Sequence, residues 1–109
     1  MPTPDLPPAI RTFIDATNRA DSAAFVTAFT PDAHLNDWGR DYRGRDGVAD
    51  WDRTDNIGVQ ARFEPLGLRP GSAPDTWDVR LRVTGNGYNG TGRLTFRLRD
   101  GLIADLRIG

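Results

Sequence analysis

The spacing of apolar residues changes once along this chain, and that change limits the folds open to it. Up to position 29 apolar side chains return every third or fourth residue. Ile10, Phe13, Ile14 and Thr17 share one helical face, and Ala24, Phe25, Ala28 and Phe29 another. From position 59 they return every second residue, the period of a strand with one buried face. Trp77, Val79, Leu81 and Val83 alternate with Asp78, Arg80 and Arg82; Leu94, Phe96 and Leu98 alternate with Arg93, Thr95, Arg97 and Arg99. A sheet with one apolar face needs a cover, and only the helices of the first half can supply it. This predicts an α+β fold: a cone-shaped, curved antiparallel sheet with three helices in the N-terminal half. A chain of 109 residues has room for one domain and one core.

The expected order runs from a flexible proline-rich leader (residues 1–8) into a single domain (residues 9–109). Proline is tolerated in a first helical turn, so Pro7-Pro8 marks the first helix start. Asp21 is placed to cap a second helix. Thr30-Pro31-Asp32 is expected to close that helix, since proline cannot continue it. Residues 33–37 then form a short strand with Ala33, Leu35 and Asp37 on one face and His34 and Asn36 on the other. A turn follows, and a third helix after Gly44 points Val48 and Trp51 inward. The parity change between Phe63 and Leu66 predicts a bulge near Glu64-Pro65. The last hairpin is expected to use a three-residue loop, Arg99-Asp100-Gly101, pairing Leu98 with Leu102 and Phe96 with Ala104. A two-residue turn would set Asp105 opposite Phe96 on the apolar face.

Composition removes several functions. All fourteen basic residues are arginine and all acids but Glu64 are aspartate; with a net charge of −1 there is no basic excess for nucleic acid. Cysteine is absent, no apolar run reaches the length of a membrane span, and Met1 to Asp5 lacks the basic start of a signal peptide. A cytoplasmic protein with no membrane partner is expected. His34 is the only histidine, and without cysteine a zinc site is not expected. Asp50, Asp52 and Asp55 read as a solvated helix end, so no metal is assigned. Residues 85–90, GNGYNG, match G-x-G-x-x-G, but the chain enters a strand afterwards; with no helix N-terminus to hold a pyrophosphate, this is a hairpin loop. No cofactor is expected.

The candidate chemistry gathers in residues 30–44. Asp37, on the parity of Leu35 and beside Trp38, stands at the mouth of any core Leu35 faces. There, loss of water would raise its pKa and suit it to act as a general base; the competing reading has it capping the turn at Trp38-Gly39. Phe13, Leu35, Trp38, Tyr42, Trp51 and Trp77 are the candidates for lining a pocket, against a bland reading as core filling. The outward row of Arg80, Arg82, Arg93, Arg97 and Arg107 shares its face with Asp78 and Asp105, which points to ion pairing.

The phrases AFTPDAHLND and YRGRDGVADW, with the Asp-Gly-Leu-Ile-Ala hairpin near the end, resemble the SnoaL-like group of the nuclear-transport-factor-2-like superfamily. That resemblance implies a conical α+β fold. It also implies a range of functions that includes polyketide cyclases, ketosteroid isomerases, dehydratases, epoxide hydrolases and non-enzymatic binders. Asp37 falls where the isomerases hold their general base, while Phe13 stands where they carry a tyrosine. SnoaL-type cyclases use a carboxylate near the end of their last strand, where this chain has Asp105 at outward parity. The reading that results is a binder of an apolar small molecule, polycyclic or terpenoid-like, with Asp37 available for isomerase- or cyclase-type acid–base chemistry. The rival is a non-catalytic dimeric module with a filled cone. Similar proteins are commonly homodimers, and the outer sheet face is the expected interface.

Overall fold

The computed structural model describes residues 6–109. It contains three α-helices, α1 (Pro8–Arg19), α2 (Ser22–Thr27) and α3 (Gly44–Asp55), and a 3₁₀ turn, Ile57–Val59. Six strands complete it: β1 (Phe29–Asp37), β2 (Arg40–Arg43), β3 (Arg62–Pro70), β4 (Thr76–Thr84), β5 (Gly90–Arg99) and β6 (Leu102–Ile108). They form one curved sheet in the order β2-β1-β6-β5-β4-β3, with the helices on its concave face. The α+β class holds. One pairing differs from the wholly antiparallel expectation: β1 runs parallel to β6. Of the expected leader, residues 1–5 lie outside the described residues, Leu6 is buried in the core, and Pro8 already begins α1.

Each helix is built as its sequence dictates. Proline occupies the first turn of α1, which ends on Ala20 in the left-handed region with φ 56°. The Asp21 carboxylate accepts from the Ala24 amide at 3.1 Å and starts α2. Thr30-Pro31-Asp32 does not close that helix, which stops at Thr27; the three residues lie inside β1. The register between β1 and β6 shifts between Phe29 and His34, and such an irregularity is where a strand tolerates a residue with no amide to donate. The bulge in β3 falls between Pro65 and Gly67, as the parity change requires.

The core is organised around Phe13. Its ring lies 5.1 Å from Phe25, 6.1 Å from Phe29, 5.3 Å from Phe63 and 5.2 Å from Phe96, so all five phenylalanines of the chain meet there. Two polar ties fasten helices to the sheet. Asn18 on α1 donates to the Phe63 carbonyl at 2.9 Å and accepts from its amide at 2.7 Å, occupying the free side of edge strand β3. Arg45 on α3 donates to the Phe29 carbonyl from Nε and Nη2 at 3.0 and 2.8 Å.

The last hairpin overturns the three-residue loop. Arg99 stands opposite Leu102, and Asp100 and Gly101 form a two-residue turn with φ 54° and 79°. The parity conflict is resolved downstream instead. Leu98 pairs with Ile103 but Arg97 with Asp105, so Ala104 is an extra residue in β6; both Ile103 and Ala104 point to buried space. This bulge returns Leu106 to Phe96 and puts Asp105 beside Arg97 on the outside.

Two glycines separate backbone strain from steric fit. A Cβ on Gly101 or Gly67 meets nothing within 4 Å, but only Gly101 has a left-handed φ, of +79°. Gly101→Ala should lower stability in urea unfolding by about 1 kcal/mol, whereas Gly67→Ala should leave it unchanged or raise it by up to about 1 kcal/mol. Equal losses in both would contradict this assignment of the turn.

Candidate functional site

The concave face is not filled throughout. Beyond the phenylalanine cluster lies a cavity of about 480 Å³. Phe63, Val83, Leu94 and Ile108 form its sheet wall, Trp51 of α3 faces them, and Val59 and Ala61 contribute the segment between α3 and β3. Phe63 therefore has one face against Phe13 and also borders the open space.

Several polar groups of this cavity form one connected cluster around Asp37. Asp37, at the end of β1, has a side chain 13% exposed. Its Oδ2 accepts from Trp51 Nε1 at 2.9 Å and from Arg40 Nη2 at 2.9 Å. Trp38 and Gly39 are the two turn residues between β1 and β2, so Asp37 and Arg40 are cross-strand partners and their ion pair follows from the hairpin itself. Arg40 Nη2 also lies 3.5 Å from Asp55 Oδ1, at the last turn of α3. The two carboxylates, with Asp55 the larger influence, strengthen the hold of Arg40 on its proton. Tyr42 directs its hydroxyl to Asp55 Oδ2 at 3.4 Å, and burial lifts that hydroxyl above the ordinary phenol value, so it remains a donor. The turn amide of Gly39 bonds to Asn36 Oδ1 at 3.1 Å; the capping role that Asp37 was a candidate for is filled by Asn36.

A second polar group lies behind the first. Asn56 is fully buried, donating from Nδ2 to Thr17 Oγ1 and to Asp52 Oδ1, each at 3.0 Å. This joins α1 to the end of α3 and fixes the segment that carries Asp55. Asp52 is 2% exposed, so it does not belong to a solvated helix end. Burial raises its carboxyl above the ordinary value of 3.8, partly offset by bonds from Ser22 and Asn56. Asp50 instead pairs with Arg53 at 2.7 Å. Among the described residues, no three acidic or histidine side chains converge as a metal site.

The sequence matches the model of the SnoaL-like domain over residues 10–106. The chain belongs to the SnoaL-like domain family. A Sinorhizobium meliloti protein described as a candidate polyketide cyclase is 29% identical, with a TM-score of 0.88 and 100% of both chains covered. A Mycobacterium tuberculosis protein in complex with estradiol-17β-hemisuccinate is 18% identical at a TM-score of 0.79, covering 92% of this chain and 88% of that one. The Δ5-3-ketosteroid isomerase of a Mycobacterium species is 22% identical at 0.77, covering 93% and 88%. These last two likenesses are of fold. No curated protein matches.

Within this SnoaL-like domain, three of the seven candidate residues come together: Asp37, Trp38 and Trp51 line the cavity. Phe13 and Leu35 are buried in the core outside its wall. Tyr42 stands behind Asp55, and Trp77 packs beside Phe96 on the neighbouring strand; neither lines the cavity. Their apolar patterning is that of core residues, and period alone cannot tell a core wall from a cavity wall. Arg40, Asn56 and Tyr88 are cavity residues that the sequence reading did not single out; Asp55, read as part of a solvated helix end, and Arg93, read as part of the outward row, also line the cavity. A two-residue Trp-Gly turn, had it been recognised, would have set Arg40 opposite Asp37.

The buried Asp52 carboxyl gives a pH signature. Its folded-state value lies above the unfolded one near 3.8, so the folded domain holds this proton more tightly. The stability it contributes is fully present below that value and is lost as pH rises through the raised one. Asp52→Asn removes this titration. In urea unfolding across the acid range, wild type should lose ground to the variant as pH rises from 3.8 upward, and a constant difference would contradict the burial argument.

Proposed function

We propose that this SnoaL-like domain takes up a neutral, apolar small molecule, polycyclic or terpenoid-like, and acts on it by acid–base chemistry through Asp37. The observation that supports this is a mostly apolar cavity of about 480 Å³ with one carboxylate, Asp37, held on its wall by Trp51 and Arg40. A cavity with few and convergent polar groups is the usual form of a small-molecule site. Similarity to proteins whose structures include a bound steroid and a ketosteroid isomerase is consistent with an apolar ligand. An open cavity argues against the rival reading, a non-catalytic module with a filled cone.

In this reading the ligand's reacting carbon lies against Asp37 Oδ1, the oxygen that takes neither of the two hydrogen bonds. Trp51 and Arg40 hold the other oxygen, fixing the carboxylate in position. Proton abstraction beside a ligand carbonyl would leave an enolate oxygen needing a donor. Phe13, in the position where isomerases carry a tyrosine, is buried among phenylalanines and has no hydroxyl. A lost oxyanion donor often costs about 3–4 kcal/mol of transition-state stabilisation. Conversion of a 3-oxo-Δ5 steroid should therefore be weak or absent. A homodimer through the outer sheet face also belongs to this proposal, although that face satisfies part of its charge internally, as Arg82 does with Glu64 at 3.2 Å. A monomeric mass at micromolar concentration and low salt would remove it.

Proton abstraction can be tested without knowing the natural substrate. In deuterated buffer, the bicyclic ketone 2-tetralone, whose benzylic α-protons are acidified by the ring and place less demand on an oxyanion donor, should exchange those protons faster with the domain than without it, as read by proton NMR. Asp37→Asn should return exchange to the buffer rate. Because the carboxylate is bonded to Trp51 and Arg40, that variant should not gain the stability expected from removing an unpaired buried charge; a change within about 1 kcal/mol is expected. Exchange undiminished in Asp37→Asn would remove Asp37 from the mechanism.

A further inference from the structure

Among the described residues, three large hydrophobic side chains are exposed, and two of them, Trp38 (78% exposed) and Tyr88 (60%), belong to the cavity lining. They come from different parts of the chain, Trp38 from the β1–β2 turn and Tyr88 from the loop between β4 and β5. Neither is explained by the core. Trp38 also has a backbone φ of +50°, a region that a bulky residue seldom enters, in a two-residue turn where asparagine or glycine is the favoured occupant. The turn is held in place: the Trp38 amide donates to the Ile108 carbonyl at 3.0 Å, and Gly39 is tied to Asn36. Tyr88 is anchored through its hydroxyl, which donates to the Thr91 carbonyl at 3.2 Å, so its ring position is fixed although exposed.

An indole held at a left-handed φ and left largely exposed, with its ring against Gly109, is a feature of sites where strain serves binding. From this the geometry points to a planar-ring subsite at the cavity mouth, where Trp38, with Tyr88 beside the same opening, stacks on the flat part of a ligand whose remainder occupies the apolar interior. The inference rests on the cavity being a ligand site and adds the class of ligand: one with a planar, conjugated or aromatic ring system, in preference to a saturated one of equal size. Rigid aromatic side chains supply such contact at little entropic cost, and their offset stacking favours π-faces over puckered rings. Trp38 lies between Asp37 and Arg40 in the chain, so a ring stacked on it is brought beside the polar cluster.

The test compares 2-phenanthrol with perhydro-2-phenanthrol, which differ in planarity and share a carbon skeleton and hydroxyl, by calorimetric titration of wild type, Trp38→Gly and Trp38→Asn. Both substitutions suit a left-handed turn position, so the thermal midpoint should be unchanged or higher. Wild type should bind the planar probe more tightly, and its tryptophan emission should move to the blue as the probe covers Trp38. Both variants should lose roughly tenfold in affinity for the planar probe and little for the saturated one. Equal losses for both probes, or none, would overturn the stacking role while leaving the cavity as a binding site. Binding of neither probe by wild type would overturn the binding reading and this subsite with it. A concentration-dependent dimer that disappears in Trp38→Gly would assign the aromatic pair to a second copy of the chain and overturn the proposal.

Discussion

The packing of four phenylalanines around Phe13 is the contact on which the rest of this domain depends. Phe13 and Phe25 come from the two helices of the hairpin, Phe29 from the start of β1, and Phe63 and Phe96 from two strands of the sheet. These five rings join five elements of the fold. Such pairs add about 0.5–1.5 kcal/mol each beyond their burial, and truncating a buried phenylalanine costs about 3–5 kcal/mol. Against a total stability of about 5–15 kcal/mol for a domain of this kind, one ring carries a large share. The cluster closes one part of the concave face and stops at Phe63, where the cavity begins.

What the cavity can do follows from how its polar side is held. The Asp37–Arg40 pair is a property of a tight hairpin, and Trp51 reaches Asp37 because α3 crosses in front of β1. The end of α3 is set in turn by Asn56, which bonds to Thr17 on α1 and Asp52 one turn back. The Nδ2 bonds of Asn56 fix one arrangement of the helix ends, although its buried Oδ1 has no partner among the described residues. The carboxylate is thus held by two donors, one from its own hairpin and one from α3.

Much of this was legible beforehand, and the parts that were not have definite causes. The change of hydrophobic period foretold the helices, the strands and the one-sided sheet, and the family phrases named the fold. The last hairpin was misjudged because the pattern was followed through the turn alone; the extra residue, Ala104, sits within the strand, where apolar parity gives no warning. Pro31 was read as a helix stop because proline in a strand needs a local irregularity, which no propensity announces. Asp52 looked solvated among neighbouring aspartates, yet its partners, Ser22 and Asn56, are distant or downstream and visible only once the chain is folded. Phe13, Leu35 and Trp77 were assigned to a pocket wall by size and face, properties they share with the core that holds them.

The central claim is that the open part of the cone is a binding site for an apolar molecule. Native mass spectrometry of the purified domain incubated with 2-decalone tests it most directly, with Ala61→Phe as the comparison, since Ala61 lies on the cavity wall and a larger side chain there would fill the space. The account predicts a one-to-one adduct in wild type that is lost in Ala61→Phe. A bare mass for both, or an equal adduct in both, would contradict it.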